Sequence, residues 1–228
     1  MKPATKRRPR TRGRPTGGAA TDTAARLLDC ALTLFSEKGY VAATTAEIIA
    51  AAGVTKPVLY HHFASKEDLV RQLVGRIYHA GEREWESIIA AHPRCANRLR
   101  AMCRASFSDC AQDLRIPRLM FQTYYGPSIP ELRDFMDLHT SRRFAQVRRV
   151  MQDGLDDNDL HGGDATSLAL LFCCITDQHI NIVARLVDGA TFLTTDRADS
   201  LVDAFLNGRG TRETKACTGE RHPRGRQS

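Results

Sequence analysis

A cation and a cluster of polar rings lie together in residues 56–62, KPVLYHH. Pro57 lacks a backbone N–H and fits a helix only in its first turn, so a helix is predicted to begin at about Lys56 with Thr55 as its N-cap. A cation in the first turn opposes the helix dipole by about 0.3–1 kcal/mol unless an anion lies opposite. DNA phosphate is such an anion, and the following tyrosine and two histidines add further hydrogen-bonding groups. The stretch therefore predicts a nucleic-acid contact.

A second helix is predicted directly before this one. Thr44 and Glu47 have the spacing of a capping box, in which each side chain satisfies the other's backbone N–H. Gly53 can supply the left-handed backbone that ends such a helix, and Val54 is then expected to point inward. Two helices joined by a turn of three or four residues form a helix-turn-helix, which we place at about 44–63.

Residues 44–63, TTAEIIAAAGVTKPVLYHHF, resemble the DNA-binding signature of the TetR family of bacterial transcriptional regulators. The resemblance extends upstream over residues 21–40, where an apolar stripe at helical spacing stops at Gly39. It extends downstream to Ser65 and Asp68, another capping arrangement at the start of a fourth helix.

The resemblance implies roles for individual positions. Phosphate contacts are implied for Thr44, Thr45, Tyr60, His62 and Lys66, base contacts for Lys56, Pro57, Val58 and His61, and Thr55 presents an outward hydroxyl. Ala46 stands where some members place a basic residue that reads a base, so base reading is expected to come from the second helix of the pair.

The N-terminal tail could add a second DNA contact. Residues 1–20 hold seven basic and no acidic residues, broken by proline and glycine, and are expected to be disordered in the free protein. Arg12, Gly13 and Arg14, followed by Pro15, resemble the core of an AT-hook, which enters the narrow minor groove of A·T-rich DNA. The alternative is an arm that attracts DNA by charge alone.

The charge is segregated along the chain. Residues 209–228 hold six basic and two acidic residues, whereas residues 21–208 hold 20 basic and 24 acidic ones, so the formal net charge of +7 arises from the tails. We predict an all-α fold of about nine helices. It comprises a three-helix DNA-binding domain at 21–68, a helical ligand-binding and dimerisation domain at 69–208, and a second disordered tail at 209–228. The later helices are predicted at about 67–90, 94–112, 115–124, 130–153, 164–187 and 196–207.

The helix predicted at 164–187 is apolar nearly all round, so it must be covered on more than one side. The family resemblance implies that it pairs, together with 196–207, with its copy in a second subunit to form a four-helix bundle. A homodimer would present two recognition helices to a pseudo-palindromic DNA operator.

Four polar residues interrupt this apolar helix: Asp177, Gln178, His179 and Asn181. They either bond across the dimer seam or to neighbouring backbone, or one or two of them line a ligand cavity. The resemblance implies a small-molecule site between the fifth and eighth helices, for which the candidates are Phe107, Cys110, Phe121, Tyr124, Asp177 and His179. The effector itself is unknown from the sequence.

Other classes of function are less well supported. The chain has no GxSxG, GxGxxG, P-loop or HExxH motif, so we expect no enzyme; it has neither CxxC nor zinc-type histidine spacing, so we expect no cofactor and no metal site. No apolar run looks long enough to span a membrane, and a cytoplasmic, nucleoid-associated protein is expected. The prediction is a ligand-responsive regulator that represses transcription. The alternatives are an architectural DNA-binding protein without an effector and a thiol-sensing regulator that uses some of the seven cysteines.

Overall fold

A computed structural model describes residues 17–127 and 129–207. Over these residues the chain forms nine α-helices and no strand, which confirms the predicted all-α class. The helices are α1 Gly17–Ala42, α2 Thr45–Ala52, α3 Lys56–His62, α4 Lys66–Ala91, α5 Cys95–Gln112, α6 Arg115–Tyr125, α7 Arg133–Asp156, α8 Ala165–Val183 and α9 Thr195–Asn207. The AT-hook-like residues Arg12, Gly13 and Arg14, and the C-terminal tail at 209–228, lie outside the described residues.

Helices α1 to α3 and the first half of α4 surround one hydrophobic core. Its fully buried members include Leu27, Phe35, Ile48 and Leu59. The helical geometry of α1 is broken at Gly39, whose φ of 81° is readily adopted only by glycine. This is the residue at which the sequence pattern predicted the first helix to stop.

This first core includes residues from beyond the predicted DNA-binding domain. Leu119 of α6, together with Leu132 and Met136 near the start of α7, packs into it. Polar contacts join the same elements, since the guanidinium of Arg115 donates to Asp29 and the amide of Gln122 donates to the backbone carbonyl of Ser36. Helix α6 is therefore held against α1 by both apolar and polar contacts.

A second core lies among the C-terminal half of α4 and helices α5, α7, α8 and α9. Trp85 and Ile89 of α4 pack there with Phe107 of α5 and Phe172 of α8. Because Leu69 and Val74 of α4 belong to the first core, this one helix connects both cores without a break.

Three predicted helix boundaries were wrong, and one of them is the end of α7, which lies at Asp156 rather than 153. Helix α7 begins at Arg133 rather than 130, because Pro130–Leu132 forms a 3₁₀ turn. Helix α8 ends at Val183 rather than 187, and Asp188 then takes the left-handed backbone that leads into a second 3₁₀ turn, Gly189–Phe192.

Helix α8 also corrects the prediction that no apolar run is long enough for a membrane. By length and composition Ala165–Val183 passes that test, alone among the described helices. Its buried apolar residues, including Ala169, Phe172 and Ile180, pack into the second core. The apolar composition of α8 is accounted for on that side by packing against its neighbours in the chain.

Gly154 allows a close approach between α7 and α5. A Cβ atom added there would lie 2.7 Å from the Cys95 sulfur and 2.8 Å from the Cys95 Cβ. We expect Gly154→Ala to lower the free energy of unfolding by about 1–3 kcal/mol through overpacking. Urea unfolding followed by circular dichroism measures the change.

The matched control is Gly81→Ala within α4, where an added Cβ meets nothing within 4 Å. Alanine favours a helix over glycine by about 1 kcal/mol, so this variant is expected to be as stable as the parent or more stable. Equal effects of the two substitutions would contradict close packing at Gly154.

Candidate nucleic-acid interface

The start of α2 is fixed by the predicted capping box. The Thr44 hydroxyl accepts from the Glu47 backbone N–H at 3.2 Å, and the Glu47 carboxylate accepts from the Thr44 N–H at 2.9 Å. Lys38 of α1 adds an ion pair to the same carboxylate at 2.6 Å. The helix ends at Gly53, which has the predicted left-handed backbone. Sequence and structure therefore agree on both ends of this helix.

Helix α3 presents most of its side chains to solvent. Leu59 is its fully buried residue and inserts into the first core, whereas Val58 and His62 are half-buried. The exposed residues of the helix and its N-cap are Thr55, Lys56, Pro57, Tyr60 and His61. This helix of about two turns therefore leaves one side, which carries these five residues, open to solvent.

The polar groups of α3 are largely uncommitted. Thr55 occupies the N-cap position, but its side chain makes no capping hydrogen bond. Among the described residues Lys56 has no carboxylate partner, and its ammonium lies 5.9 Å from the centre of the Tyr60 ring. The rings of His61 and His62 contact each other edge to face at 5.1 Å. These groups can bind an external anion without first breaking an internal ion pair.

Two of the predicted phosphate contacts are more committed than the sequence indicated. The Thr44 hydroxyl already takes part in the capping box and donates to the Glu47 carboxylate at 3.0 Å. The Lys66 ammonium lies 4.3 Å from the centre of the Tyr40 ring and 3.5 Å from the Val41 carbonyl oxygen. Burial lowers the pKa of Lys66. Contacts by Thr44 and Lys66 therefore require local rearrangement, and the phosphate roles of both residues and of half-buried Thr45 stay predictions.

The six predicted effector residues fall in three places. Phe107 of α5 stacks on His179 of α8 at 5.2 Å, so these two side chains directly bridge the predicted cleft. Asp177 instead faces α7, where it accepts a hydrogen bond from Arg143 at 2.9 Å, and Cys110 is half-buried near the same arginine.

Phe121 and Tyr124 belong to the third place, on α6. Phe121 lines a groove of about 250 Å³ between α6 and α8, and the guanidinium of Arg185 lies 3.8 Å from its ring centre. The Tyr124 hydroxyl bonds to those of Tyr78 and Thr140. The effector roles of these residues stay predictions.

Among the described cysteines, two are buried, three are half-buried and one is exposed. Burial raises the pKa of Cys95, Cys103, Cys110 and Cys173 to about 12, so at neutral pH they are overwhelmingly protonated. The thiolate is the reactive form of cysteine, so these four residues are poor oxidation sensors. Cys174 differs in being exposed.

The structure also reveals polar groups that the sequence reading missed. Arg143 lies over the Trp85 ring at 4.5 Å, and its Nε is buried without a hydrogen-bond partner among the described residues. His79 and Glu82 of α4 meet His139 of α7. The i,i+3 spacing of His79 and Glu82 was visible in the sequence, but their long-range partner was not.

Comparison with known proteins finds matches to the N-terminal helices. Residues 27–73 match the family model for bacterial regulatory proteins of the tetR family. The HTH-type transcriptional repressor KstR2 of Rhodococcus jostii (strain RHA1) is 50% identical over 48 residues, which are 21% of this chain and 24% of that protein. The chain thus aligns with about a quarter of this relative's length.

Two further comparisons extend beyond that region. The HTH-type transcriptional repressor ComR of Escherichia coli (strain K12) is 28% identical over 164 residues, 69% of this chain and 77% of that protein. The fatty acid degradation regulator FadR of Bacillus halodurans superimposes with a TM-score of 0.71 at 18% identity, covering 83% of this chain and 97% of that one. At 18% identity, the likeness to FadR shows a similar fold.

The capping box predicts a distinct acid titration. The hydrogen bond from Lys38, followed by those from Thr44, lowers the pKa of Glu47 from 4.5 to about 2. The stabilisation from this carboxylate is therefore fully present above about pH 4.5 and is lost as the pH falls through about 2. Carboxyl-carbon NMR should show a Glu47 midpoint near 2, and Lys38→Ala should raise it towards 4.5. The control Lys56→Ala should leave it unchanged, and a midpoint near 4.5 in the unaltered protein would contradict the assignment.

Proposed function

Because this chain belongs to the TetR family of bacterial regulatory proteins, we propose that it is a DNA-binding transcriptional regulator that acts as a homodimer and responds to a small molecule. Repression is the favoured sign of regulation, since KstR2 and ComR are both named as repressors. The family model matches only the DNA-binding helices, at residues 27–73. The effector and the operator are therefore proposed on other grounds.

The DNA-binding proposal rests on the exposed side of α3, which carries Lys56, Tyr60 and His61. Beside them, the side chain of the N-cap residue Thr55 makes no capping hydrogen bond. These side chains serve no packing role in the first core. Lys56 lies at the positive end of the helix dipole, where an anion relieves an unfavourable interaction. DNA offers phosphates to this end and base edges in the major groove to the next turn.

The dimer proposal rests on the outer face of α8. Leu171, Cys174 and Ile182 lie at helical spacing on one stripe, and all three are exposed, Leu171 at 53% and Ile182 at 61%. Exposed Gln178 interrupts this stripe, but its large apolar side chains favour a surface that is covered in the working protein. A second copy that packs α8 and α9 against its own α8 and α9 would bury this stripe and place two α3 helices about a two-fold axis.

The effector proposal rests on unsatisfied polar atoms beside α8. His179 Nε2 and Arg143 Nε are buried without a partner among the described residues, and leaving such an atom unpaired costs about 1–3 kcal/mol. The Arg143 guanidinium lies over the Trp85 ring, and the hydroxyls of Tyr78 and Tyr124, which are near it, bond to each other. We place the effector on the α7 side of α8, with its hydrogen-bond acceptor at Arg143.

Transmission to DNA would run through α4, which belongs to both cores. A ligand that binds one arrangement of α4 more tightly than another shifts the dimer towards that arrangement and changes the separation of the α3 helices.

We also propose a minor-groove role for Arg12, Gly13 and Arg14, and a cytoplasmic, nucleoid-associated location for the protein. An architectural protein lacking an effector would leave the polar atoms beside α8 unexplained.

The base-reading role of α3 predicts a specific defect. We expect Lys56→Ala to weaken binding to the operator by about 1–3 kcal/mol, and to weaken binding to unrelated DNA by less, because a base contact is lost as well as a charge. Fluorescence anisotropy with operator and unrelated duplexes, at matched salt, gives both affinities.

The control is Arg148→Ala, which removes an exposed cation from α7 in the other core region. It should leave operator affinity unchanged. An equal loss of operator affinity in the two variants would reduce Lys56 to a general electrostatic role and overturn the assignment.

The dimer proposal predicts a change in molecular mass. We expect Ile182→Asp to convert the dimer to a monomer, because each copy would bury a carboxylate in the apolar seam. Light scattering coupled to size exclusion measures the mass. Leu138→Asp, at a 48% exposed leucine of α7, is the control and should remain dimeric. A dimeric Ile182→Asp variant would place the interface elsewhere.

A further inference from the structure

Three side chains with metal-binding atoms converge between α4 and α7. The Glu82 carboxylate lies 2.9 Å from Nδ1 of His139 through one oxygen and 3.5 Å from Nδ1 of His79 through the other. One potential ligand atom from each residue lies within 4.8 Å of the other two. A tetrahedral Zn²⁺ ion with bonds of about 2.0–2.1 Å requires ligand atoms about 3.3 Å apart. Small side-chain movements can satisfy this spacing.

The three ligands differ in mobility in a way that suits ion capture. His139 is 2% exposed, and its ring stacks on Tyr78 at 4.9 Å and contacts Phe135 at 4.6 Å. The His79 side chain is 52% exposed and can rotate towards an ion. One imidazole is thus held in place by its neighbours, while the other can close on the ion.

The surroundings give the ion access from solvent, although several arginines lie near the path. Glu82 also lines an open groove of about 800 Å³ between α4 and α7, which provides a path from solvent. The guanidinium groups of Arg143 and Arg149 are each paired with a carboxylate, those of Asp177 and Glu86. The charges of these two arginines are therefore compensated locally, whereas Arg83, Arg142 and Arg148, which line the same groove, have no carboxylate partner among the described residues and add positive charge along the path.

We propose that His79, Glu82 and His139 form a binding site for a divalent transition-metal ion, with Zn²⁺ as the simplest occupant. Two imidazole nitrogens and one carboxylate oxygen are a common three-residue ligand set for zinc and leave a fourth position for water. No metal site was predicted because the sequence has neither CxxC nor zinc-type histidine spacing; His139 lies 57 residues beyond Glu82 and joins it only through the fold.

Such an ion would link the middle of α4, through His79 and Glu82, to α7, through His139. Helix α4 begins at Lys66 beside the DNA-binding helices and carries Trp85 in the second core. A bound ion therefore constrains the element that connects the two cores. Metal binding itself does not depend on the proposed DNA-binding function and can be tested without DNA.

The test uses the full-length protein without an affinity tag, titrated with Zn²⁺ by calorimetry and with Co²⁺ by absorption spectroscopy. We expect one ion per chain and Co²⁺ d–d bands without thiolate charge-transfer absorption. Zn²⁺ should also slow backbone amide exchange within residues 76–86 and 135–146. His79→Ala, at an exposed position, is expected to weaken Zn²⁺ binding at least about tenfold and to remove the added protection.

His161→Ala is the matched control, because it removes an exposed histidine far along the chain from the cluster. It should bind Zn²⁺ like the parent. Glu82→Gln retains the size of the side chain but removes its charge, and should weaken binding as His79→Ala does. The proposal is overturned by absence of binding in the parent, by equal affinities of His79→Ala and His161→Ala, or by charge-transfer bands that assign the ion to cysteine. None of these results would affect the DNA-binding proposal.

Discussion

Helix α4 is buried in both hydrophobic cores, and this shared packing holds the DNA-binding helices and the later helices together. Helix α4 places Leu69 and Val74 among the DNA-binding helices and Trp85 and Ile89 among the helices of the second core. Neither end can move without disturbing packed side chains, and close-packed interiors resist gradual deformation. Movement at one core is therefore expected to be transmitted to the other as a shift of α4.

The first core extends beyond the DNA-binding helices and strengthens this coupling. Leu119 of α6 and Met136 of α7 pack into it, and Arg115 and Gln122 attach α6 to α1. Helix α6 in turn contributes Phe121 to the groove against α8. A ligand that displaces α6, α7 or α8 thus has contacts with the DNA-binding end in addition to α4.

The sequence predicted local features well because they depend on neighbouring residues. The Thr44–Glu47 capping box, the left-handed Gly53 and the start of α3 before Pro57 all follow from interactions within four residues. Features that depend on distant packing were missed. The Lys66 ammonium lies against Tyr40 from another helix, Asp177 pairs with Arg143, and His139 joins His79 and Glu82. The end of α8 was misplaced because its apolar residues continue past the helix into the following turn.

The central claim is that two α3 helices of a dimer read DNA about a two-fold axis. Selection of bound duplexes from a random library, followed by sequencing, tests it most directly. If two α3 helices read DNA in this way, we expect enrichment of an inverted repeat whose half-sites lie about one turn of the DNA helix, or a multiple of one, apart. Enrichment of a single unrepeated element, or no enrichment above binding by charge alone, would contradict it.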